Sequence, residues 1–234
     1  MALGLGINNA PLLRPLDWSP LDTDNCLFWY KNNTNVSTDG WLDSSPNENH
    51  TLQVVEDNQP ALYEGGLRFD GENDRLDLQE KIEIEFDQPF TIALTFKLSS
   101  LSNNCILSDS NAEFFEIQSQ SRIRFKGNIG ASTVSVLVFD ENIFEVDRPI
   151  SLIFKRDSNQ RLDTYVNGVL VVPNAGESTN ITNKAGFDIY NISSRNDNDR
   201  FFHGVIYEMF LYGKELSQTH HANSLDYLND KFNT

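Results

Sequence analysis

Hydrophobic and polar residues alternate most cleanly over residues 90–98. There Phe90, Ile92, Leu94, Phe96 and Leu98 fall on one side of an extended chain and Thr91, Ala93, Thr95 and Lys97 on the other. A side-chain period of two marks a β-strand with one face in a core. Shorter runs of the same kind, separated by Gly, Asn, Asp, Pro and Ser, predict strands at 26–30, 52–55, 66–69, 75–78, 106–108, 113–118, 122–126, 134–139, 150–155, 163–172, 187–192 and 204–212. Within 163–172, Asn167-Gly168 supplies the two positive-φ positions of a tight hairpin. Many short strands with turn residues between them predict an all-β fold, an antiparallel two-sheet jelly-roll sandwich. Phe90, Ile92, Leu94, Phe96, Ile206 and Phe210 are expected in the core between its sheets. One stretch has a helical period instead. After Ser217, a good N-cap, Leu225, Leu228 and Phe232 share one face of 218–231, which predicts a short C-terminal helix packed on the sandwich.

Residues 1–25 follow neither period. Pro11, Pro15 and Pro20 forbid a helix and favour an extended chain. Leu3, Leu5, Ile7, Leu12, Leu13 and Trp18 make this arm apolar enough to need a surface to lie on. The expected organisation is therefore an extended docking arm over 1–25 followed by a sandwich over 26–234.

The 234 residues, 39% hydrophobic with 16 Phe, suffice for one all-β domain that needs no metal or disulfide staple. Formal charge is −16, and the few basic groupings, Arg122 with Arg124 and Lys126 and Lys155 with Arg156, read as solvated strand faces. Such a field repels phosphate backbones and anionic membranes, so nucleic acid is excluded as a partner class. No stretch approaches the roughly 18 apolar residues of a membrane span, so no membrane insertion is expected. Cys26 and Cys105 lack metal-ligand spacing and read as small buried apolar groups. The opening residues lack the basic and continuous apolar segments of a secretory leader, so a cytoplasmic product is expected. The Asn-x-Ser/Thr sequons at Asn32, Asn35, Asn49, Asn180 and Asn191 would then stay bare.

Asp70, Glu72, Asn73 and Asp74, around Gly71, offer oxygen donors to a hard cation such as Ca²⁺, and equally offer side chains that cap a turn between strands. Asn196, Asp197, Asn198 and Asp199 form a second polar loop tip that could meet a metal or a sugar hydroxyl. These are the candidate ligand residues. Ca²⁺ is the one ion they suggest, and no cofactor is otherwise expected. Glu83, Glu85 and Asp87 would share one strand face at intervals of about 6.6–7 Å, a spacing open to two-carboxylate chemistry, with Ile82, Ile84 and Phe86 facing the core. Nothing beside them resembles a hydrolase cleft, and charged outer faces ordinarily guard edge strands. His203, His220 and His221 could do acid–base or metal work, but no nucleophile elbow or Gly-rich phosphate loop accompanies them. No catalytic residue is nominated, and binding rather than catalysis is expected.

Several segments together resemble the concanavalin A-like, laminin-G-like lectin/glucanase superfamily. They are Trp41, Asp43, Ser45, Asn47, Asn49 and His50 in one turn, then Gln59-Pro60, the run from Gly65 to Asp74, Phe90-Thr91-Ile92, Tyr165-Val166-Asn167-Gly168, and the run from Gly204 to Tyr212 followed by Leu216-Ser217. The resemblance covers 27–232 and is specific for fold and weak for ligand, because the superfamily includes lectins, adhesion modules, hydrolases and structural domains. The arrangement looks most like virion structural proteins of tailed phages, including those infecting cyanobacteria. That likeness implies a multi-copy head decoration or tail appendage made in the host cytoplasm and carried on the virion. Its implied partners are other virion proteins, through the N-terminal arm, and host-surface glycans. A free carbohydrate-binding lectin module is the alternative, and a polysaccharide hydrolase a third. The hydrolases' Glu-x-Asp-x-x-Glu strand does not match 83–87 in residue order.

Overall fold

A computed structural model describes residues 18–110, 113–195 and 200–232 of the chain. Leu3, Leu5, Ile7, Leu12 and Leu13 of the expected arm, and the loop tip 196–199, lie outside the described residues. After a 3-10 turn at Pro20–Asp22 the strands run in order. They are β1 Cys26–Tyr30, β2 Val36–Ser37, β3 Gly40–Trp41, β4 Thr51–Leu52, β5 Ala61–Tyr63, β6 Gly66–Asp70, β7 Leu76–Ile84, β8 Phe90–Leu98 and β9 Asn104–Ser110. There follow β10 Glu113–Ser119, β11 Arg122–Gly127, β12 Thr133–Val138, β13 Pro149–Arg156, β14 Leu162–Val166, β15 Val169–Val171, β16 Phe187–Ile192 and β17 His203–Tyr212. A helix, α1 Gln218–Phe232, ends the described chain.

Two antiparallel sheets result. An eight-stranded sheet has the order β15-β14-β13-β8-β17-β6-β5, with β1 joining the far half of β17, and a seven-stranded sheet has the order β12-β11-β10-β9-β16-β7-β4. The expected two-sheet sandwich is the observed fold. Between the sheets lie Phe90, Ile92, Leu94, Phe96 and Ile206, as the alternation predicts, facing Phe115, Phe125 and Phe187 of the other layer. Phe115 stacks on Phe154 at 4.6 Å, an aromatic contact that ties the sheets together.

Phe210 is buried elsewhere. It belongs to a second cluster with Trp29, Ile153, Tyr212, Leu216 and Leu228, on the outside of the eight-stranded sheet under α1. The cause is a bulge in β17 between Ile206 and Glu208, where the register against β8 shifts by one residue. An extra residue inverts the facing of all that follow, so Met209 and Leu211 enter the main core while Phe210 turns outward. The helix that covers Phe210 is the expected one. Ser217 Oγ accepts from the His220 amide at 3.2 Å as the N-cap, and Leu228 is fully buried with Leu225 and Phe232 packed beside it. Ala93 lies under this cover, which explains why β8 is buried on both faces.

Three other expectations are corrected. Residues 76–84 form one strand ending at Ile84, so Glu85, Phe86 and Asp87 lie in the turn after it. Asp87 there has a left-handed φ of 56°, and Phe86 is 42% exposed instead of facing the core. The predicted run 52–55 shortens to the two-residue β4. Arg156 is no solvated residue: it is wholly buried, and its guanidinium donates to the carbonyls of Glu85, Gln88, Asn183 and Ala185, closing the end of the sandwich. Cys26 and Cys105 are free and buried, as expected, and burial pushes the Cys26 thiol up to about 12.

The turn that carries the family resemblance is a hydrogen-bond hub. Asp43 accepts from the amides of Trp29, Ser45 and Asn49 and from the Ser45 hydroxyl, and His50 Nδ1 accepts from the Asp43 amide at 3.0 Å. Asn47 and Asn49 donate to the Leu27 carbonyl, so the whole turn clamps β1. At the near end of the arm, the Trp18 ring meets Tyr227 of α1 edge-on at 5.8 Å, and the Tyr212 hydroxyl donates to the Pro20 carbonyl.

Candidate functional site

The eight-stranded sheet is covered by α1, whereas no described helix crosses the outer face of the seven-stranded sheet. Charged side chains on or beside that face come from β7, β9, β10, β11, β16 and the segment before β17. Two groups of them contain charged atoms more buried than a solvated surface explains.

The first group lies where the β9–β10 hairpin stops short of β16. Gly127 and Gly186 let β11 and β16 approach there, since a Cβ on Gly127 would stand 2.4 Å from the Gly186 carbonyl. In that gap Asp109, Glu113 and Asp188 each present an oxygen within 4.8 Å of the others. Glu113 is 5% exposed and accepts from the Asp188 amide at 3.3 Å. Burial, and then the charge of Asp188, pushes its carboxyl up to about 7. Burial also raises the Asp109 carboxyl above its usual range. Asp188 is 7% exposed; its Oδ2 binds the Lys81 ammonium, while its buried Oδ1 meets no donor among the described residues. The hydrogen bond to Asp188 raises the lysine's own affinity for its proton.

The second group lies further along β10, roughly 10 Å from Glu113 at the rise of an extended chain. Glu116 is fully buried, and its Oε1 accepts from Arg124 at 2.8 Å and from Arg200 at 2.9 Å. Its Oε2 meets no donor among the described residues. Beside it the ring of Phe114, outward yet almost wholly enclosed, lies between the guanidiniums of Arg124 at 5.0 Å and Arg195 at 5.1 Å. Planar cations that a buried carboxylate holds in place at partly exposed positions suit a ligand rich in hydroxyl or charged groups.

The residues nominated from sequence are placed otherwise. Asp70, Glu72, Asn73 and Asp74 come together in the turn from β6 to β7. There Asp70 Oδ1 accepts from the amides of Glu72, Asn73 and Asp74, and Asp74 Oδ2 accepts from the Asp70 amide at 2.8 Å. Both carboxylates thus act as turn caps, and burial pushes Asp74 up to about 6. His203 packs against Gly71 of this turn. His221 lies 4.2 Å from the Tyr165 ring, and burial lowers its affinity for a proton. Asp109, Glu113, Glu116 and Asp188 escaped sequence reasoning because no local spacing joins them. The nearest signal was Glu116 standing among the apolar residues Phe114, Phe115 and Ile117 of one strand.

Residues 70–220 match the family pattern described as the concanavalin A-like lectin/glucanases superfamily. The match covers well over half of the chain, which therefore belongs to that superfamily. A search of curated proteins gives no match. Among solved structures, a Trypanosoma rangeli sialidase superposes with a TM-score of 0.58 at 12% identity over 89% of this chain and 33% of that one. The binding domain of Paraclostridial Mosquitocidal Protein 1 gives 0.58 at 17% identity over 90% of this chain and 53% of the other. The receptor binding domain of a botulinum neurotoxin C/D mosaic serotype gives 0.59 at 11% identity, covering 87% and 51%. The chain thus spans about a third of the sialidase and about half of each toxin domain, and at such identities the likeness is one of fold.

Proposed function

We propose that this chain is a binding module that holds a polar, glycan-like ligand on the exposed face of its seven-stranded sheet. The observation that supports this most is the pair of partly exposed guanidiniums, Arg124 and Arg200, both held in place by the fully buried Glu116. Charged planar donors fixed at a partly exposed position suit hydroxyl and carboxylate oxygens of a ligand from outside. Catalysis is not part of the proposal. Glu83 in β7 and Glu85 and Asp87 in the following turn are not aligned along one strand, and Glu116 is held by two arginines instead of being set against a second carboxyl.

For the setting we propose a phage virion, on the strength of the sequence resemblance. The module would sit on the particle as a head decoration or tail appendage and attach through residues 1–17. Two of the solved neighbours are a toxin's binding domain and a toxin's receptor binding domain, which is consistent with a fold used for recognition. Two experiments separate the parts. On a glycan array, wild type should bind at least one glycan class and Arg124→Ala should lose it, whereas silence of the wild-type protein or an unaffected variant would count against the face. In particle preparations, the full chain should copurify with virions and a chain lacking residues 2–17 should not. Equal incorporation of both would remove the arm from the proposal.

A further inference from the structure

We propose that Asp109, Glu113 and Asp188 form a Ca²⁺ site at the end of the exposed sheet face, independent of any glycan bound there. The three carboxylates come from β9, β10 and β16, neighbours in the sheet order: Asp109 sits at the register shift opposite the Glu113–Phe114 step, and Asp188 is paired with Glu83 of β7. All three ligand oxygens lie within 4.8 Å of one another. Ca²⁺ takes oxygen ligands at about 2.3–2.6 Å, so a single ion fits between oxygens with that spread, and water fills its remaining positions. Mg²⁺ demands near-ideal octahedral geometry at about 2.0–2.1 Å and fits so open a set less well.

A second observation points to a ligand independently of the cluster. Asp188 is 7% exposed, yet its enclosed Oδ1 has no donor among the described residues. Leaving such an atom bare in the folded protein is costly, and a cation beside it satisfies it directly. The resident counter-charge is insufficient. Lys81 bonds Asp188 Oδ2, and its side chain is 45% exposed, so this ammonium stands at the rim against three carboxylates. When all three are ionised, two negative charges remain, the amount a divalent ion neutralises. The turn from Asp70 to Asp74 lacks these features, because its carboxylates are already engaged by backbone amides.

The test is calorimetric titration of the EDTA-treated full chain with CaCl₂, and separately with MgCl₂, together with thermal unfolding in each. Wild type should bind one Ca²⁺ with a dissociation constant on the order of 10⁻⁴ to 10⁻³ M, as extracellular calcium modules do. Its melting temperature should rise with CaCl₂, and Mg²⁺ should bind at least tenfold more weakly. Glu113→Gln and Asp188→Asn should each weaken Ca²⁺ at least tenfold. Both keep side-chain shape and relieve repulsion, so both should melt no lower than wild type in EDTA. Lys81→Met keeps all three ligands and removes the competing ammonium, so it should bind Ca²⁺ as tightly or more tightly. Asp70→Asn should leave binding unchanged. No binding heat up to about 10 mM CaCl₂ would overturn the proposal. So would equal Mg²⁺ affinity, loss of binding in Lys81→Met, or Ca²⁺ binding that survives Asp188→Asn and disappears in Asp70→Asn.

Discussion

The two outer faces of the sandwich each contain a fully buried glutamate, and the two are treated differently. Glu208, under α1 on the eight-stranded sheet, is saturated. Its Oε1 accepts from Trp29 Nε1 at 2.7 Å and from the Tyr227 hydroxyl, and its Oε2 from the Asn32 amide and the Lys231 ammonium. Glu116, on the seven-stranded sheet, uses one oxygen for two arginines, and its other, buried oxygen meets no donor among the described residues. A saturated buried charge can bind nothing further and serves to fix the helix to the sheet. The Glu116 carboxylate instead anchors two arginines that stay partly exposed, where a ligand can reach them.

The core shared by both faces sets the scale against which they are compared. Phe96→Ala should cost about 3–5 kcal/mol in denaturant unfolding, because the ring is fully buried and packs against Phe144 and Phe202. A loss under about 1 kcal/mol would mean the inner and outer faces have been exchanged. Next in size is Glu208→Ala, expected to cost about 3 kcal/mol by stranding the buried Trp29 indole N–H and the Asn32 amide. Glu116→Gln should cost less, about 1 kcal/mol, since Arg124 and Arg200 are partly exposed and recover water. Equal losses at the two glutamates would abolish the distinction between a structural and a ligand-ready face.

Acid should also act on the two faces with opposite sign. Burial lowers His221 below its ordinary value of 6.5, with Lys155 adding to the effect and Asp163 opposing it. The unfolded chain therefore takes this proton first. The stability from neutral His221 is fully present above 6.5 and is lost as pH falls through and below that value. Glu113 is raised from 4.5 to about 7, with Asp109, Asp188 and Lys81 around it. Its folded form holds the proton longer, so the destabilisation from its charge is absent below 4.5 and grows to its full size as pH rises past about 7. Without divalent cation, Glu113→Gln should thus gain stability over wild type at alkaline pH and lose that advantage in acid. His221→Phe, which keeps a ring against Tyr165, should gain over wild type only in acid. Melting curves of both variants across that range check the signs, and parallel profiles would refute them.

Strand alternation, the Asn167-Gly168 hairpin and the Ser217-capped helix were legible in the sequence because each depends on neighbours within a few residues. The motif from Trp41 to His50 was legible for the same reason, since its hydrogen bonds close within one turn and onto the adjacent β1. The facing of Phe210 was not, because a single bulge beside Ile206 inverts a strand and no residue type announces it. Nor was the burial of Arg156, whose partners lie up to 71 residues away. The sequence by itself determined that this is a two-sheet sandwich with a helix on one side. Only the tertiary structure decided that Asp109, Glu113 and Asp188 meet. Sheet order brings β16 beside β9, and pairing across so long a separation is set by packing of the whole core rather than by any local pattern.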